Sequence, residues 1–174
     1  MNLDRPIAPE PYGMLPEVPS FELRCGAFAD GQPIPDRYAG PGEDVSPALE
    51  WSGFPAGTKS FMINCFDPDA PTPAGYWHWT AVDVPVAVTS FEEGAGESDA
   101  TLPAGFHVAG DGGTRAYAGP YPPEGDRPHR YYFAVHALDV ESFGLGADAT
   151  PTTVAFNALF HTLARAVLHG TYQR

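Results

Sequence analysis

Basic residues are scarce in this sequence of 174 residues. Lysine and arginine together number 9, against 22 aspartates and glutamates, which gives a formal net charge of -13. Only one of the basic residues is a lysine, Lys59. A protein that binds nucleic acid needs basic residues to neutralise phosphates, and a polybasic membrane contact needs them too. The composition therefore argues against both partners, and the acidity favours solubility.

Cysteines and long apolar stretches are also few. The sequence has two cysteines, Cys25 and Cys65, and no apolar run as long as a membrane span. Its first residues, MNLDRPIAPEPYG, contain no apolar segment of the kind found in secretory signals. We therefore expect a cytoplasmic protein without membrane insertion, and with both thiols reduced and unbonded. Cys65 lies in the apolar run FMINCF, which favours a small core residue over a nucleophile.

Glycine and proline, by contrast, are abundant, with 19 and 20 residues spread along the chain without a repeat. Together with 43% hydrophobic and 13% aromatic residues, they indicate a mainly β, globular fold with many turns and long loops. Residues 1–20 are rich in proline and predict an extended arm. Residues 21–174 are expected to form a single domain.

Five stretches have the apolar and aromatic composition of strands. They are Phe21–Phe28, Ala48–Trp51, Lys59–Phe66, Trp77–Val84 and Arg130–Leu138. Lys59–Phe66 and Arg130–Leu138 are almost continuously apolar, which is typical of strands covered on both faces, and Arg130–Leu138 is expected near the centre of a sheet.

One helix is predicted near the C-terminus. Thr150 is a suitable cap and Pro151 a suitable first helical residue. Apolar residues then recur at helical spacing, and Gly170 would end the helix. The apolar residues are Phe156, Leu159, Phe160, Leu163 and Val167.

Two carboxylates flank a proline where the third strand ends, in the run Asp67-Pro68-Asp69-Ala70-Pro71. The prolines fix the backbone and aim the carboxylates. The alternative is an ordinary turn, because aspartate and proline are both turn-forming residues.

A histidine between aromatic residues opens the next strand, in Tyr76-Trp77-His78-Trp79. Strand alternation predicts His78 on one face and both tryptophans on the other. His78 is either a satisfied core residue or a hydrogen-bonding group at a pocket rim.

A rigid loop rich in glycine and proline, Gly119-Pro120-Tyr121-Pro122-Pro123, leads towards the last predicted strand. At that strand, His129 and Tyr131 are two residues apart and therefore on one face. Arg130 points the other way, where we expect it to pair with a buried carboxylate.

These motifs resemble, in their order, those of the phosphatidylethanolamine-binding protein family. The matching stretches are DPDAP at 67–71, His78 between aromatics, GPxPP at 119–123, HRY at 129–131, and Ser46–Trp51. The C-terminal stretch Phe160–Ala166, followed by Gly170–Tyr172, is similar to the bacterial branch, the Raf-kinase-inhibitor-like proteins. The resemblance runs from about Phe21 to the C-terminus.

The resemblance implies a β-sandwich with Greek-key connections, a few short helices, one C-terminal helix and a small pocket for phosphate-like or carboxylate anions. By position, the anion-binding residues would be Asp67, His78, His129 and Tyr131. The pocket wall would be Tyr76, Pro120, Tyr121 and Pro122, with Asp69 and Arg130 as structural support. It also implies a cis Ala70–Pro71 bond and a homodimer.

Three functions remain open at this point. The first is a binding protein for a phosphorylated or carboxylated small molecule, or for a phosphorylated partner, with a histidine that protonates as the pH falls. The second is an inhibitor of a protein kinase or serine protease that acts by surface contact. The third is a small hydrolase with His78 or His129 as general base and Asp67 as its orienting group. No nucleophile-elbow serine or metal-ligand spacing is present in the sequence, and no cofactor or metal is predicted.

Overall fold

The computed structural model describes residues 3–174, which form two antiparallel β-sheets. The smaller sheet has the order β1-β2-β5 and the larger the order β6-β4-β3-β7-β8. The strands are β1 Glu22–Cys25, β2 Leu49–Ser52, β3 Ser60–Asp67, β4 Tyr76–Pro85, β5 Ser90–Phe91, β6 Phe106–His107, β7 His129–Leu138 and β8 Thr162–Tyr172. The only α-helix among the described residues is α1, Pro151–Ala158, and three single 3-10 turns lie at Tyr12–Met14, Asp36–Tyr38 and Ala95–Glu97. The mainly β fold with one C-terminal helix is as predicted.

The main core lies between the two sheets. β3 is the middle strand of the larger sheet, and β7 is next to it. Both strands are buried on both faces, as their continuous apolar runs predicted. Aromatic rings fill the space between the sheets, and Trp51 contacts both Phe61 and Phe91 at centroid distances of 5.4 Å. Cys65 is buried in this core, and it and Cys25 carry free thiols.

A second, smaller core lies on the outer face of the larger sheet, where α1 packs. Val154 and Ala158 of α1 are buried against Met62, Val82 and Leu138. The Thr150 hydroxyl accepts a hydrogen bond from the backbone N–H of Thr153, and Pro151 occupies the first turn, so the predicted helix start is correct.

The predicted helix end is wrong. α1 stops at Ala158, and Thr162–Tyr172 forms β8, which pairs with β7 along its whole length. Residues at alternate positions, Ala164, Ala166, Leu168 and Gly170, are buried. That two-residue period is typical of a strand, and pairing with β7 satisfies backbone groups that a helix would leave without sheet partners. Phe156 and Phe160, which helical spacing places on one face of the predicted helix, are 60% and 69% exposed.

Gly170 is therefore not a helix stop. A Cβ atom at this position would lie 2.5 Å from Cγ1 of Ile34 and 2.8 Å from Cε2 of Phe28. Glycine is required here because two core side chains approach the β8 backbone closely.

The N-terminal segment 3–19 lies along the domain and is fixed by arginines. The Arg127 guanidinium donates to the carbonyls of Arg5 and Pro6, and Arg130 donates to the carbonyl of Ala8. The backbone N–H of Arg165 in β8 donates to the Pro19 carbonyl at 2.9 Å. No helix among residues 3–174 is long and apolar enough to cross a membrane.

Candidate functional site

A cavity of about 350 Å³ opens at one end of the larger sheet. It lies where β3 ends, β4 begins and β7 begins, and the loop before β7 forms its other side. Of the residues selected from the sequence, it is lined by Asp67, Tyr76, His78, Tyr121, Pro122, His129 and Tyr131. The strand ends thus bring together all four predicted anion-binding side chains, although they are distant in sequence.

Asp67 is the last residue of β3 and is 2% exposed. Its Oδ1 accepts hydrogen bonds from the backbone N–H groups of Asp69 and Ala70, at 2.7 and 3.0 Å. Its Oδ2 lies 2.7 Å from Nδ1 of His129. The carboxylate thus closes the turn and holds the histidine, so the turn and pocket interpretations of this motif both apply.

This turn needs no cis bond. The predicted cis Ala70–Pro71 bond is wrong, because every peptide bond among the described residues is trans. The Asp67 carboxylate instead reverses the chain through its two backbone hydrogen bonds, and the backbone N–H of Thr72 donates to the Ala70 carbonyl at 2.7 Å.

His129 is held at both ends of its ring. Nδ1 contacts Asp67, and Nε2 lies 2.9 Å from Oδ2 of Asp126. Burial by itself lowers the pKa of His129, but the hydrogen bonds with the two carboxylates outweigh it and raise the pKa above its usual value. The carboxylate at each ring nitrogen favours the protonated form of His129, and neither ring nitrogen is free to act as a general base.

Sequence reasoning missed Asp126 and Arg5. Arg5 donates to both carboxylate oxygens of Asp126, at 3.1 and 2.8 Å, and its NH2 also donates to the Asp69 carbonyl. The Arg5 hydrogen bond holds the pKa of Asp126 far below its usual range, although burial opposes this. The position of Asp126, three residues before His129, was a usable signal. Nothing in the sequence pointed to Arg5, because 124 residues separate it from His129.

His78 reaches the cavity because β4 has a bulge. Cys65 pairs with Trp79 and Phe66 pairs with Trp77, so His78 is an extra residue on β4. Trp79 consequently faces the inner core, whereas Trp77 packs on Phe66 on the outer face, with ring centroids 4.5 Å apart. The prediction that both tryptophans share a face was wrong, since a bulge breaks strand alternation.

The His78 ring makes one hydrogen bond to the described residues, from Nδ1 to the Ala118 carbonyl at 2.7 Å. Since a carbonyl only accepts, Nδ1 carries the hydrogen, and Nε2 of the neutral ring is an acceptor. Burial lowers the pKa of His78, and this effect exceeds the opposing contributions of Ala118 and the nearby aspartates. His78 and His129 thus have their pKa values shifted in opposite directions.

Tyr131 is fully buried between the two histidines. Its ring lies 5.1 Å from that of His78 and 6.4 Å from that of His129, between centroids. Its hydroxyl is buried and makes no hydrogen bond of ordinary length to the described residues, and the Asp67 carboxylate is its neighbour. Burial, followed by the Asp67 charge, raises the pKa of Tyr131 far above its usual range, so the hydroxyl stays protonated. A buried hydroxyl without a full hydrogen bond is costly.

Asp69 and Arg130 lie behind the pocket and form a bidentate pair. Nε of Arg130 donates to Oδ2 of Asp69 at 2.7 Å, and NH2 donates to Oδ1 at 2.8 Å. Although burial opposes it, this pairing lowers the pKa of Asp69. The pair ties the turn after β3 to the start of β7.

The loop that carries Pro120, Tyr121 and Pro122 forms the rim. Pro120 is buried and does not line the cavity; its carbonyl accepts from the N–H of Gly40 at 2.9 Å. Tyr121 is 61% exposed at the mouth, where the Arg174 guanidinium lies 4.1 Å above its ring. Gly119 is required because a Cβ there would lie 2.3 Å from the Tyr38 carbonyl oxygen.

The fold and this cavity define a class: a small protein of two antiparallel sheets with one buried pocket of histidine, tyrosine and aspartate at the strand ends. In residues 3–174, no group of three or more histidine, cysteine, aspartate or glutamate side chains is arranged to hold a metal ion.

Comparison with known proteins identifies the family. The family model described as phosphatidylethanolamine-binding protein matches residues 25–173. The chain is 41% identical over 158 residues to the UPF0098 protein YbhB of Escherichia coli strain K12, covering 87% of this chain and 99% of that protein. It is 36% identical over 159 residues to the UPF0098 protein YbcL of the same strain, covering 90% and 87% respectively.

The structure gives the same result. The crystal structure of Escherichia coli YbcL, described as a new member of the mammalian PEBP family, superposes with a TM-score of 0.86 at 34% identity, covering 89% of this chain and 99% of that one. The chain therefore belongs to the phosphatidylethanolamine-binding protein family, in the bacterial branch of YbhB and YbcL, as its motifs predicted.

Proposed function

We propose that the protein binds a small anion, a phosphate-like or carboxylate group, in the cavity at the end of the larger sheet. The observation that carries this proposal is that His78 and Tyr131 both line one cavity, where the Tyr131 hydroxyl makes no hydrogen bond of ordinary length to the described residues and has the Asp67 carboxylate as a neighbour. Tyr131 supplies one directional donor, and His78 supplies a second when it is protonated.

The local charge balance permits an anion despite the net charge of -13. Each buried carboxylate near the cavity floor has a cationic partner: Asp67 has His129, Asp126 has Arg5, and Asp69 has Arg130. The floor therefore carries no net negative charge while His129 is protonated, and the hydrogen bonds with Asp67 and Asp126 that raise its pKa favour that form.

His78 makes binding depend on pH. The neutral ring offers a lone pair at Nε2, which repels an anion, whereas the protonated ring offers a hydrogen and a charge. Because burial lowers the pKa of the free His78, its titration midpoint lies below the ordinary value of about 6.5. At high pH the loss of the His129 proton weakens binding further. Affinity should therefore rise as the pH falls.

Calorimetric titration with sulfate, whose charge is constant over this range, tests the proposal. We expect sulfate to bind at least tenfold more tightly at pH 5.5 than at pH 8. His78→Gln should remove most of the dependence on pH, while His161→Gln, which changes a histidine paired with Asp139 outside the cavity, should retain it. Equal affinity at both pH values, or no sulfate binding at pH 5.5, would reject the proposal.

We further propose a cytoplasmic location, in which Cys25 and Cys65 remain reduced. Cell fractionation tests the location. Recovery of the protein in the membrane fraction or outside the cytoplasm would contradict the proposal.

A further inference from the structure

A second cavity, of about 280 Å³, lies on the opposite face of the larger sheet. Its floor includes Asn64 and Phe66 of β3 and His136 of β7, and α1 and residues 11–15 cover it. These strand residues alternate with Cys65 and Tyr131 of the inner core, so this cavity and the anion pocket are separated by the sheet.

Most of the cavity wall is apolar. Phe66 and Trp77 of the sheet line it, together with Ala155 and Phe156 of α1 and Leu159 directly after the helix. Phe156 and Leu159 are 60% and 38% exposed, so the apolar wall continues to the surface. A surface of this kind favours hydrocarbon over strongly hydrated groups.

A cation without a carboxylate partner lies in this apolar cavity. Arg165 of β8 is 9% exposed, and no carboxylate of residues 3–174 lies within 4.0 Å of its guanidinium. Its contacts are the Tyr12 ring, 5.4 Å from Cζ, and Nδ1 of His136, 3.5 Å from Nε. Glu10 attracts this charge from a distance, but its two oxygens accept from the N–H groups of Tyr12 and Gly13.

The neighbouring histidine has an unused ring nitrogen. His136 is 4% exposed, and its Nε2 is buried with no partner among the described residues. Burial, followed by the Arg165 charge, lowers the pKa of His136 to about 3, so the ring is neutral. Nδ1 lies 3.3 Å from Oγ1 of Thr162 and 3.5 Å from Nε of Arg165. A buried cation without a carboxylate partner is costly unless other acceptors reach it.

We propose that this cavity binds a small apolar carboxylic acid, with the carboxylate on Arg165 and the hydrocarbon part between Trp77 and α1. The planar guanidinium matches a carboxylate in two parallel hydrogen bonds. The volume of the cavity is close to the lower limit of the volumes of known ligand sites, roughly 300 Å³. An apolar wall with one cation at its inner end selects an acid with a hydrocarbon tail over a small hydrated anion.

Calorimetric titration of the full chain with octanoate, 1-octanol and acetate tests this site. We expect octanoate to bind at least tenfold more tightly than octanol, which lacks the charge, and acetate, which lacks the tail. Equal binding of octanoate and octanol would overturn the proposal, as would no octanoate binding at millimolar concentration.

Two variants locate the ligand. Arg165→Met removes the charge, and Ala155→Phe fills the cavity while leaving Arg165 in place. Each variant should lower the affinity for octanoate at least tenfold. Arg24→Met, on the exposed edge of the smaller sheet, and His78→Gln, in the anion pocket, should leave that affinity unchanged. Unchanged octanoate affinity in Ala155→Phe would overturn the site even if Arg165→Met failed to fold. Loss of octanoate binding in His78→Gln would assign it to the anion pocket instead.

Discussion

Nε2 of His129 lies 2.9 Å from Oδ2 of Asp126, across the imidazole from Asp67. The ring is therefore fixed between two carboxylates and contributes charge to the pocket floor rather than a free donor. Of the side chains that line the cavity, His78 and Tyr131 are then the ones proposed to meet the anion. This arrangement favours binding over hydrolysis by His129, since a general base needs a ring nitrogen that can reach its substrate.

Asp126→Asn should lower the pKa of His129. The substitution removes one of the two anionic acceptors that raise the pKa against burial. An NMR titration of the histidine ring protons measures this, and the His129 midpoint should move down. The matched control is Asp30→Asn, which removes the carboxylate 3.0 Å from Nδ1 of His169 and should leave His129 unchanged. An unchanged His129 midpoint in Asp126→Asn would contradict the two-carboxylate arrangement.

Tyr131→Phe should weaken sulfate binding without destabilising the fold. Because the Tyr131 hydroxyl makes no hydrogen bond of ordinary length in the described chain, its removal should change the free energy of unfolding little. Sulfate affinity should fall roughly three- to tenfold, the contribution of one hydrogen bond. Urea denaturation and calorimetry provide the two readouts.

Tyr132→Phe is the control for this experiment, because the Tyr132 hydroxyl contacts Arg130 and lies outside the cavity. It should retain sulfate affinity. A Tyr131→Phe protein that binds sulfate as tightly as the wild type would show that the hydroxyl does not contact the anion.

Gly170→Ala should destabilise the protein by about 1–3 kcal/mol, the usual cost of overpacking a core. The added methyl group would meet Ile34 and Phe28. Gly57→Ala is the control, because its Cβ would lie 3.6 Å from Cδ1 of Leu163, an ordinary contact. Equal stability of the two variants in urea would contradict the placement of Gly170 in a buried strand.

The central strands could be predicted from the sequence because their composition reflects burial on both faces. β3 and β7 are almost continuously apolar over 8 and 10 residues, which is typical of strands covered on both faces. β8 could not be predicted in the same way. Leu163 and Val167 continue the helical spacing of Phe156 and Phe160 by coincidence, and pairing with β7 decides the outcome.

The floor of the candidate site was only partly predictable. Family motifs mark His78, His129 and Tyr131, but the bulge that turns His78 inward depends on the pairing of β3 with β4, which the sequence of one strand does not encode. Arg5 lies in the N-terminal segment and contacts Asp126 only after the chain has folded.

Proton uptake on sulfate binding tests the anion pocket most directly. Because burial lowers its pKa below the ordinary value, His78 is neutral in the free protein at pH 7 and must gain a proton to donate from Nε2, whereas the carboxylates beside His129 raise its pKa and favour its charged form before sulfate binds. Calorimetry in two buffers with different ionisation enthalpies measures this uptake. We expect about one proton per sulfate in the wild type and almost none in His78→Gln, since one group changes its protonation state. Sulfate binding with no proton uptake in the wild type would contradict a role for His78 as the pH-dependent donor.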